Sequence, residues 1–577
     1  MLGVYGKILH IDLLTGQCRS ESLPAAIYEK YLGGKGLGAY LLQQINPPGV
    51  EPLAPENHVI LTIGPANGLR IWGANRFAAF SKSPQTGIFA ESYSGGKAFW
   101  PIARCGYDAF VIRGTLKEWG VLEITEQGIK IHPAAIWMGQ DSLTCEASLR
   151  EIFGTQAGIL TIGPAGENRV RFAYVNNDAG RCLGRTGFGA ILGSKKIKAL
   201  VFSGNRTKVA HDPGSLDTYW AEQYRQGMEH PICGVYKKYG TPNTARFTSA
   251  LEAFPARFWQ DGTVPFMEKI NTEALHAICR VKARSCTFCF IACTRDTTVL
   301  DGRHAGLRID GPEYETLNAF GGLNLIDDIR EIVYLNDCCD RLGLDTISAG
   351  NMTAFAIEAY KHGKSDFPLN YGDVDGIARL LEMIAYRQGI GNLLAEGIRI
   401  AAPELGLEEW SIHVKGLELP AYDPRVLKGM GLSYAVSDRG ACHLRTTFYK
   451  AEMSGQIPPD QLEGKAAMLL EFEDKLTIYD SLILCRFFRD IIHWPELRKI
   501  VTGAMGLDFS PGDFRTTAAG IMQVIRNYNE QEGVTPADDR LPDFFFNRPL
   551  GSSQRVLKRE EFDRLLGDYY SLRGWHQ

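Results

Sequence analysis

Cys286, Cys289 and Cys293 have two and then three residues between them. Three thiolates at this spacing can wrap one corner of an iron–sulfur cube, and a distant fourth cysteine closes the site. A zinc site would usually show a second close Cys or His pair, and none follows. Three buried structural cysteines in an aromatic core are the plainest alternative. Phe288 and Phe290, set between the thiols, would keep water from a cluster and so tune its potential. Cys338, Cys339, Cys442 and Cys485 are candidates for the fourth ligand, and spacing alone does not choose among them.

A second pattern occurs twice. In Asp340-Arg341-Leu342-Gly343-Leu344-Asp345 and Asp480-Ser481-Leu482-Ile483-Leu484-Cys485, an Asp closes a helical stretch, Leu follows four residues on, and Asp or Cys comes fifth. Such a carboxylate can accept paired N–H donors from a flat, amino-bearing heterocycle. A single copy would be no more than a charged helix end. The N-terminal third also repeats itself. Leu61-Thr62-Ile63-Gly64-Pro65-Ala66 returns as Leu160-Thr161-Ile162-Gly163-Pro164-Ala165. Each copy leads to arginine (Arg76; Arg169 and Arg171) and then to a glycine loop (Ser94-Gly95-Gly96; Gly184-Arg185-Thr186-Gly187). Glycine loops and arginines suit phosphate. A duplicated half with two Asp motifs predicts two copies of one ligand, with the cluster beside them.

These residues need elements to hold them. Strands are predicted over 58–63 and 108–113, and a hairpin over 121–131. Helical spacing runs through 141–153, 325–342, 346–362, 373–388 and 462–484. The chain is therefore an α+β multidomain protein: a β-rich N-terminal domain with an internal pseudo-twofold repeat (1–208), then two mostly α-helical domains (209–420 and 421–577). Its 577 residues, 45% hydrophobic and 22% charged, are globular in composition. Lys and Arg number 62 against 66 Asp and Glu, a net charge of −4 that gives no support to nucleic-acid binding. No apolar run is long enough to span a bilayer. Residues 1–12 carry no signal-peptide pattern, so a cytoplasmic protein is expected. Thirteen cysteines, an odd number, argue against a disulfide framework in such a chain.

Over essentially its whole length the chain resembles the tungsten-containing aldehyde:ferredoxin oxidoreductases. The resemblance rests on Gly6-Lys7-Ile8-Leu9, Leu32-Gly33-Gly34-Lys35-Gly36, Gly189-Ala190-Ile191-Leu192-Gly193-Ser194-Lys195, Gly311-Pro312-Glu313-Tyr314-Glu315-Thr316, the cysteine triplet and the two Asp motifs. It implies tungsten (or molybdenum) held by the dithiolenes of two pterins, magnesium bridging their phosphates, and an adjacent 4Fe-4S cluster. The fold it implies is a bis-pterin-binding β-rich base under two helical domains. By the same resemblance Cys286, Cys289, Cys293 and Cys485 hold the cluster. Asp340 and Asp480 meet the pterin rings, with Leu344, Asp345 and Leu484 alongside. Arg76 lies between pterin and cluster. Ser94 and Gly95, with Cys182, Leu183, Gly184 and Arg185, serve the phosphate side. Tyr314, Glu315 and His443 surround the open face of the metal.

The resemblance implies oxidation of an aldehyde to the acid, with electrons leaving singly through the cluster to ferredoxin or an iron–sulfur partner subunit. Glu315 is the expected base, and His443 or Tyr314 would hydrogen-bond the aldehyde oxygen. If the stretch is extended, Glu313 points the same way and competes for the base role. An oligomer is expected, but a Glu-x-x-His iron site is not, because Tyr334 follows Glu331. Three positions depart from the pattern: Ile483 replaces a glycine, Tyr93 a small polar residue near the magnesium contact, and Cys182 stands where arginine is expected unless Arg181 supplies it. An aryl-CoA reductase subunit of the same fold and a non-catalytic electron-transfer protein are the rival functions.

Overall fold

A computed structural model describes residues 1–551 and 553–576. The N-terminal region contains two six-stranded sheets. The first holds β1 (Lys7–Asp12), β2 (Gln17–Ser22), β3 (Val59–Thr62), β4 (Phe77–Lys82), β5 (Phe89–Ser94) and β6 (Ala109–Arg113). The second holds β7 (Gly120–Thr125), β8 (Gly128–Pro133), β9 (Gly158–Thr161), β10 (Val175–Asn177), β11 (Arg181–Leu183) and β12 (Ile197–Ser203). Their strand orders are 2-1-6-3-4-5 and 8-7-12-9-10-11, which are the same order displaced by six strands. Directions agree as well: β1–β6 and β7–β12 are parallel, and the other neighbours are antiparallel. The six-residue echo thus marks a true structural duplication, its copies lying on the equivalent strands β3 and β9. The sheets share one core, where Leu61, Phe77 and Phe110 meet Leu160, Leu200 and Phe202. A small third sheet, β13 (Cys279–Arg284), β14 (Thr294–Val299) and β15 (Arg308–Asp310), flanks the cysteine loop.

Seven helices position the site: α1 (Gly34–Ile45), α2 (Ser142–Phe153), α3 (Tyr314–Leu317), α4 (Ile329–Leu342), α5 (Thr346–Lys361), α6 (Lys465–Leu482) and α7 (Pro511–Gln531). The outer face of the first sheet (Ile60, Ala78, Phe80) is covered by α1, α6 and α7 through Leu42, Ile478 and Ile521. The outer face of the second sheet is covered by α2 through Cys145 and Leu149. The helical core runs continuously from Ala253 past residue 420 to Tyr570; α6 joins it through Ala466 and Leu469, while its later turns (Leu476, Ile478, Leu482) and α7 belong to the core of the first sheet. Helix α4 begins four residues later than its apolar spacing suggests. Asp328 caps it, accepting from the backbone N–H of Arg330 at 2.9 Å, so the preceding turn stays outside the helix.

Candidate active site

The two Asp motifs end α4 and α6, and both helices stop in a left-handed residue: Gly343 (φ 81°, ψ 42°) and Ile483 (φ 59°, ψ 41°). The same turn is kept although Ile483 replaces glycine, a costly conformation for a β-branched side chain. The duplicated glycines explain the docking. A Cβ on Gly64 would lie 2.4 Å from the Leu482 carbonyl, and one on Gly163 would lie 2.5 Å from that of Leu342. Each copy of the echo thus receives the end of one Asp-bearing helix. Gly34 does the same for α6, its Cβ position falling 2.2 Å from the Asp480 carbonyl oxygen.

A cavity of about 570 Å³ lies between these helix ends and the free ends of β5 and β11. Arg76, Ser94, Gly95, Cys182, Gly184, Arg185, Cys286, Cys289, Cys293, Tyr314, Glu315, Asp340, Leu344, Asp345, His443 and Cys485 all line it. Leu183 and Leu484 do not; they are buried in the sheet cores behind it. Asp480 is also set back, 2% exposed, and reaches the wall through Arg445 (3.3 Å) and Arg486.

The cysteine loop curls through left-handed turns at Phe288 (φ 53°) and Ala292 (φ 50°), each immediately before a thiol. Of the four candidates for the fourth ligand, Cys485 lines the cavity with the triplet, whereas Cys338, Cys339 and Cys442 do not; Cys182 lines it as well, from β11. The backbone of Gly73 ties the two segments, accepting from Cys485 N–H at 2.8 Å and donating to Phe288 carbonyl at 3.0 Å. Donors already face the sulfurs: Arg76 Nη2 lies 3.4 Å from Cys485 and the Gly96 N–H 3.1 Å from Cys286. Burial would weaken the Arg76 cation, but the thiols of Cys485, Cys286 and Cys293 outweigh it and strengthen its hold on the proton. Burial pushes the Cys289 thiol up to about 12, with Cys286 and Cys485 adding to it. Among the described residues no three His, Cys, Asp or Glu converge on a point that one metal ion could fill. N–H donors aimed at the sulfurs of Cys485 and Cys286 fit thiolates that hold a cluster. Phe288 packs on Trp100 (5.1 Å) and Phe290 on Phe488 (5.0 Å), shielding the loop as expected.

The two Asp motifs differ in electrostatics. Asp340 is held by neutral groups, Tyr174 hydroxyl at 3.1 Å and Asn336 amide at 2.6 Å, and burial pushes its carboxyl well up. Asp480 is held by two guanidiniums. Asp345 caps α5 through Ile347 and Ser348 and takes Arg185 Nε at 3.1 Å. A buried ionic network under the second motif was not singled out in the sequence. Glu91 accepts from Lys35 (3.2 Å), Tyr93 hydroxyl (2.6 Å) and Arg445, and Lys35 also holds Asp438 at 2.5 Å. This accounts for Tyr93: its hydroxyl serves Glu91 while Arg445 and Arg486 lie over its ring, each 5.3 Å from the centroid. The signal was present as arginines flanking His443 (Arg439, Arg445) and following Cys485 (Arg486, Arg489). Nitrogens of Arg76, Arg439, Arg445, Arg486 and Arg489 are buried without a protein acceptor. Such groups are costly unless an anion completes them, so the wall fits a phosphate-bearing cofactor.

On another wall, Glu315 and His443 meet with Oε1 and Nε2 3.6 Å apart. Glu315 Oε2 accepts from the Ala421 N–H at 2.9 Å, while Oε1 and His443 Nδ1 have no hydrogen-bond partner. Burial pushes the Glu315 carboxyl up to about 8 despite the Ala421 bond and Arg185. Burial first, then Arg185, Arg439, Arg486 and Arg489, hold His443 far below its usual value, so it is neutral. Glu313 lines the same cavity beside the cysteines. It precedes α3, accepts from Thr241, and acts on Cys293 and Arg181, whereas Glu315 meets His443. Tyr314 lines the cavity with its ring, but its hydroxyl is taken by Ala421 carbonyl (2.6 Å) and Thr248 (3.1 Å). Helix α3 continues into a π-helical turn, Asn318–Gly322, a form often found at functional sites.

Known proteins resemble this chain over its whole length. The family model described as aldehyde ferredoxin oxidoreductase, N-terminal domain, matches residues 8–204, and the model for domains 2 and 3 matches 218–577. The tungsten-containing aldehyde ferredoxin oxidoreductase of Pyrococcus furiosus is 34% identical, the alignment covering 100% of this chain and 97% of that protein. The enzyme of the same name from Thermococcus kodakarensis is 33% identical with the same coverage. Among solved structures, the active-site complex BamBC of benzoyl-coenzyme A reductase with 1,5-dienoyl-CoA has TM-score 0.84, 22% identity, and coverage of 100% of this chain and 95% of that one, a likeness of fold. With both family models matched and a third of residues identical over full length, this chain belongs to the aldehyde ferredoxin oxidoreductase family.

Proposed function

We propose that this protein oxidises an aldehyde to the carboxylic acid at a tungsten centre carried by two pterins, and passes the electrons through a 4Fe-4S cluster to ferredoxin or an iron–sulfur partner subunit. The observation that carries this is the Glu315–His443 pair, facing the same cavity as the four cysteines with an unpartnered atom on each side chain. Cys286, Cys289, Cys293 and Cys485 would hold the cluster. Asp340 and Asp480 would meet the two pterins. Ser94, Gly95 and the stretch Cys182–Arg185 would serve the phosphates and their magnesium. When bound, the tungsten–pterin group supplies two-electron oxidation and the cluster divides it into single electrons.

The chain's own residues supply the proton chemistry. Aldehyde plus water gives acid, two electrons and two protons. Glu315, pinned through Oε2, presents Oε1 to take a proton as water oxygen joins the carbonyl carbon. Neutral His443, in the tautomer with hydrogen on Nδ1, can donate to the carbonyl oxygen as charge develops there. Anaerobic purification and elemental analysis test the reading. About one W (or Mo) with about four Fe and four sulfides per chain is expected, together with viologen-linked oxidation of acetaldehyde or benzaldehyde. Zinc without iron, or reduction of an aryl-CoA ester with no aldehyde oxidation, overturns it.

A further inference from the structure

Arg185 is set into the cavity wall, 6% exposed. All three of its guanidinium nitrogens are engaged by the protein. Nε donates to Asp345 Oδ2 at 3.1 Å, Nη1 to the Ala441 carbonyl at 2.9 Å, and Nη2 to the Glu418 carbonyl at 2.8 Å. Arg76, Arg445 and Arg486 differ, since each keeps a buried nitrogen without an acceptor. The three acceptors lie beside the groups that hold the Glu315–His443 pair. Ala441 stands two residues before His443. Glu418 ends the short strand Leu417–Glu418, three residues before Ala421, whose N–H pins Glu315 Oε2 at 2.9 Å. Asp345 precedes Thr346, whose hydroxyl meets that of Thr316, the residue after Glu315, at 2.9 Å. The acceptors are themselves braced. The Ser348 hydroxyl lies 2.9 Å from Asp345 Oδ2 and 2.7 Å from Glu418 Oε2, and Gln85 donates to Glu418 at 2.7 Å. The Arg185 charge also faces both members of the pair. It opposes the burial that lifts the Glu315 carboxyl, while Asp345 adds to that lift. After burial it does most to keep His443 neutral, ahead of Arg439, Arg486 and Arg489. Tyr314, Tyr422 and Tyr434 face Glu315 too, and burial keeps their hydroxyls protonated.

We propose that Arg185 is a positioning residue for proton transfer: one guanidinium fixes the turn before His443, the segment that pins Glu315 and the cap beside α3, and sets one cation against both members of the pair. This rests on the aldehyde-oxidising reading above. Arg185 acts through Glu315 and His443. Its side chain has no nitrogen left over for a phosphate, so the phosphate role of the Cys182–Arg185 stretch falls to the backbone.

Arg185→Met and Arg185→Lys, in tungsten-loaded enzyme, make the test. Both should carry wild-type amounts of tungsten, iron and pterin. Arg185→Met should lose about 10²-fold in kcat, the scale for misplaced reacting groups, with KM little changed. Its kcat/KM should reach the plateau about one pH unit or more above wild type, because Glu315 ionises later without the facing cation. Arg185→Lys keeps the charge but not the planar fork. Its pH limb should stay near that of wild type while kcat falls part of the way. General loosening of the structure would lower Tm without moving the limb in one variant and restoring it in the other. A crystal structure of metal-loaded Arg185→Met gives a readout apart from turnover: the turn at Ala441 or the segment 418–421 should shift, and Glu315 and His443 should leave their 3.6 Å approach. Loss of tungsten or pterin from both variants, with normal turnover per remaining tungsten, assigns the side chain to the cofactor and overturns the proposal. So does an unchanged kcat and pH limb in Arg185→Met, or an unmoved pair in its structure. If Arg185→Met does not accumulate as folded protein, Arg185→Lys decides, and wild-type kcat there overturns the proposal. If tungsten-loaded wild type oxidises no aldehyde, the functional reading falls instead, and the crystal structure still decides whether Arg185 positions the pair.

Discussion

Glu315→Gln should raise stability and abolish turnover together, and the size of the first effect follows from burial. The carboxyl is lifted from 4.5 to about 8, chiefly by loss of water around it. In the unfolded chain it ionises at its ordinary value, so the folded state binds the extra proton. Below pH 4.5 both states are protonated and Glu315 costs nothing. As pH rises the unfolded state gains the favourable ionisation and the fold does not, until the folded group itself ionises near 8. At ~1.4 kcal/mol per pH unit the cost is about 3 kcal/mol at pH 7 and about 5 kcal/mol at pH 8 and above. Glutamine, neutral and of the same shape, is spared it. With ~2.1 cal/mol/K of unfolding entropy per residue, a chain of this length gains ~3 °C in Tm at pH 7 and ~4 °C at pH 8, falling to zero near pH 4.5. Turnover should drop by ~10²–10⁴ if Glu315 takes the proton. Wild-type kcat/KM should rise with pH to a plateau above about 8, a limb the variant lacks. Thermal unfolding across pH and steady-state kinetics at equal metal content make the comparison. A variant no more stable than wild type at pH 7, or one that keeps near-normal turnover, refutes the reasoning.

Three further outcomes test the scaffold. Cys485→Ala should lose iron, sulfide and visible charge-transfer absorbance, whereas Cys442→Ala and Cys338→Ala should retain them, since neither lines the cavity. Gly64→Ala and Gly163→Ala each force a methyl against the end of an Asp-bearing helix, at 2.4 and 2.5 Å. Both should lower Tm and pterin content, measured on purified protein. Ile483→Gly relieves a left-handed isoleucine, ~1–2 kcal/mol, but empties a fully buried site worth ~2–5 kcal/mol. It should therefore lower Tm despite restoring the family's glycine, and a rise would show that backbone strain dominates there.

What could be read in advance was whatever the chain repeats or spaces locally. The six-residue echo located the duplication because a close backbone approach admits only glycine, and the same need recurs at Gly64 and Gly163. The cysteine triplet was legible from its loop spacing. The choice of Cys485 as the fourth ligand came from the family resemblance, because Gly73 and Arg76, which bring it to the triplet, lie some four hundred residues earlier. Glu313 and Glu315 could not be separated by sequence while the local conformation was open; the turn into α3 separates them. Tyr314 was offered beside His443 as a hydrogen-bond donor to the aldehyde oxygen; its hydroxyl is held by Thr248 and Ala421, and partners that distant leave no local trace. The ionic network that joins Lys35, Glu91, Asp438 and Arg445 to Asp480 escaped for the same reason: apart from Asp480, each member is an ordinary charged residue until folding removes its water.

The duplication also bears on how electrons would leave. Two equivalent halves would offer two equivalent routes from a centre set between them. The chain breaks that equivalence at the fifth position after each motif aspartate. Against the second half, where Gly163 receives the first motif, Asp345 caps α5 and holds Arg185, so the position serves structure. Against the first half, where Gly64 receives the second motif, Cys485 stands there, with Arg76 on its sulfur and the triplet across from it. The cations follow the same division, since Asp340 is held by Tyr174 and Asn336 but Asp480 by Arg445 and Arg486. Positive charge around the second motif, on the first half, would stabilise added electrons there, and the ligand that could carry them outward stands on that side. With both pterins and the cluster held as proposed, the symmetric fold would receive two equivalent cofactor halves while one side-chain difference selects a single exit.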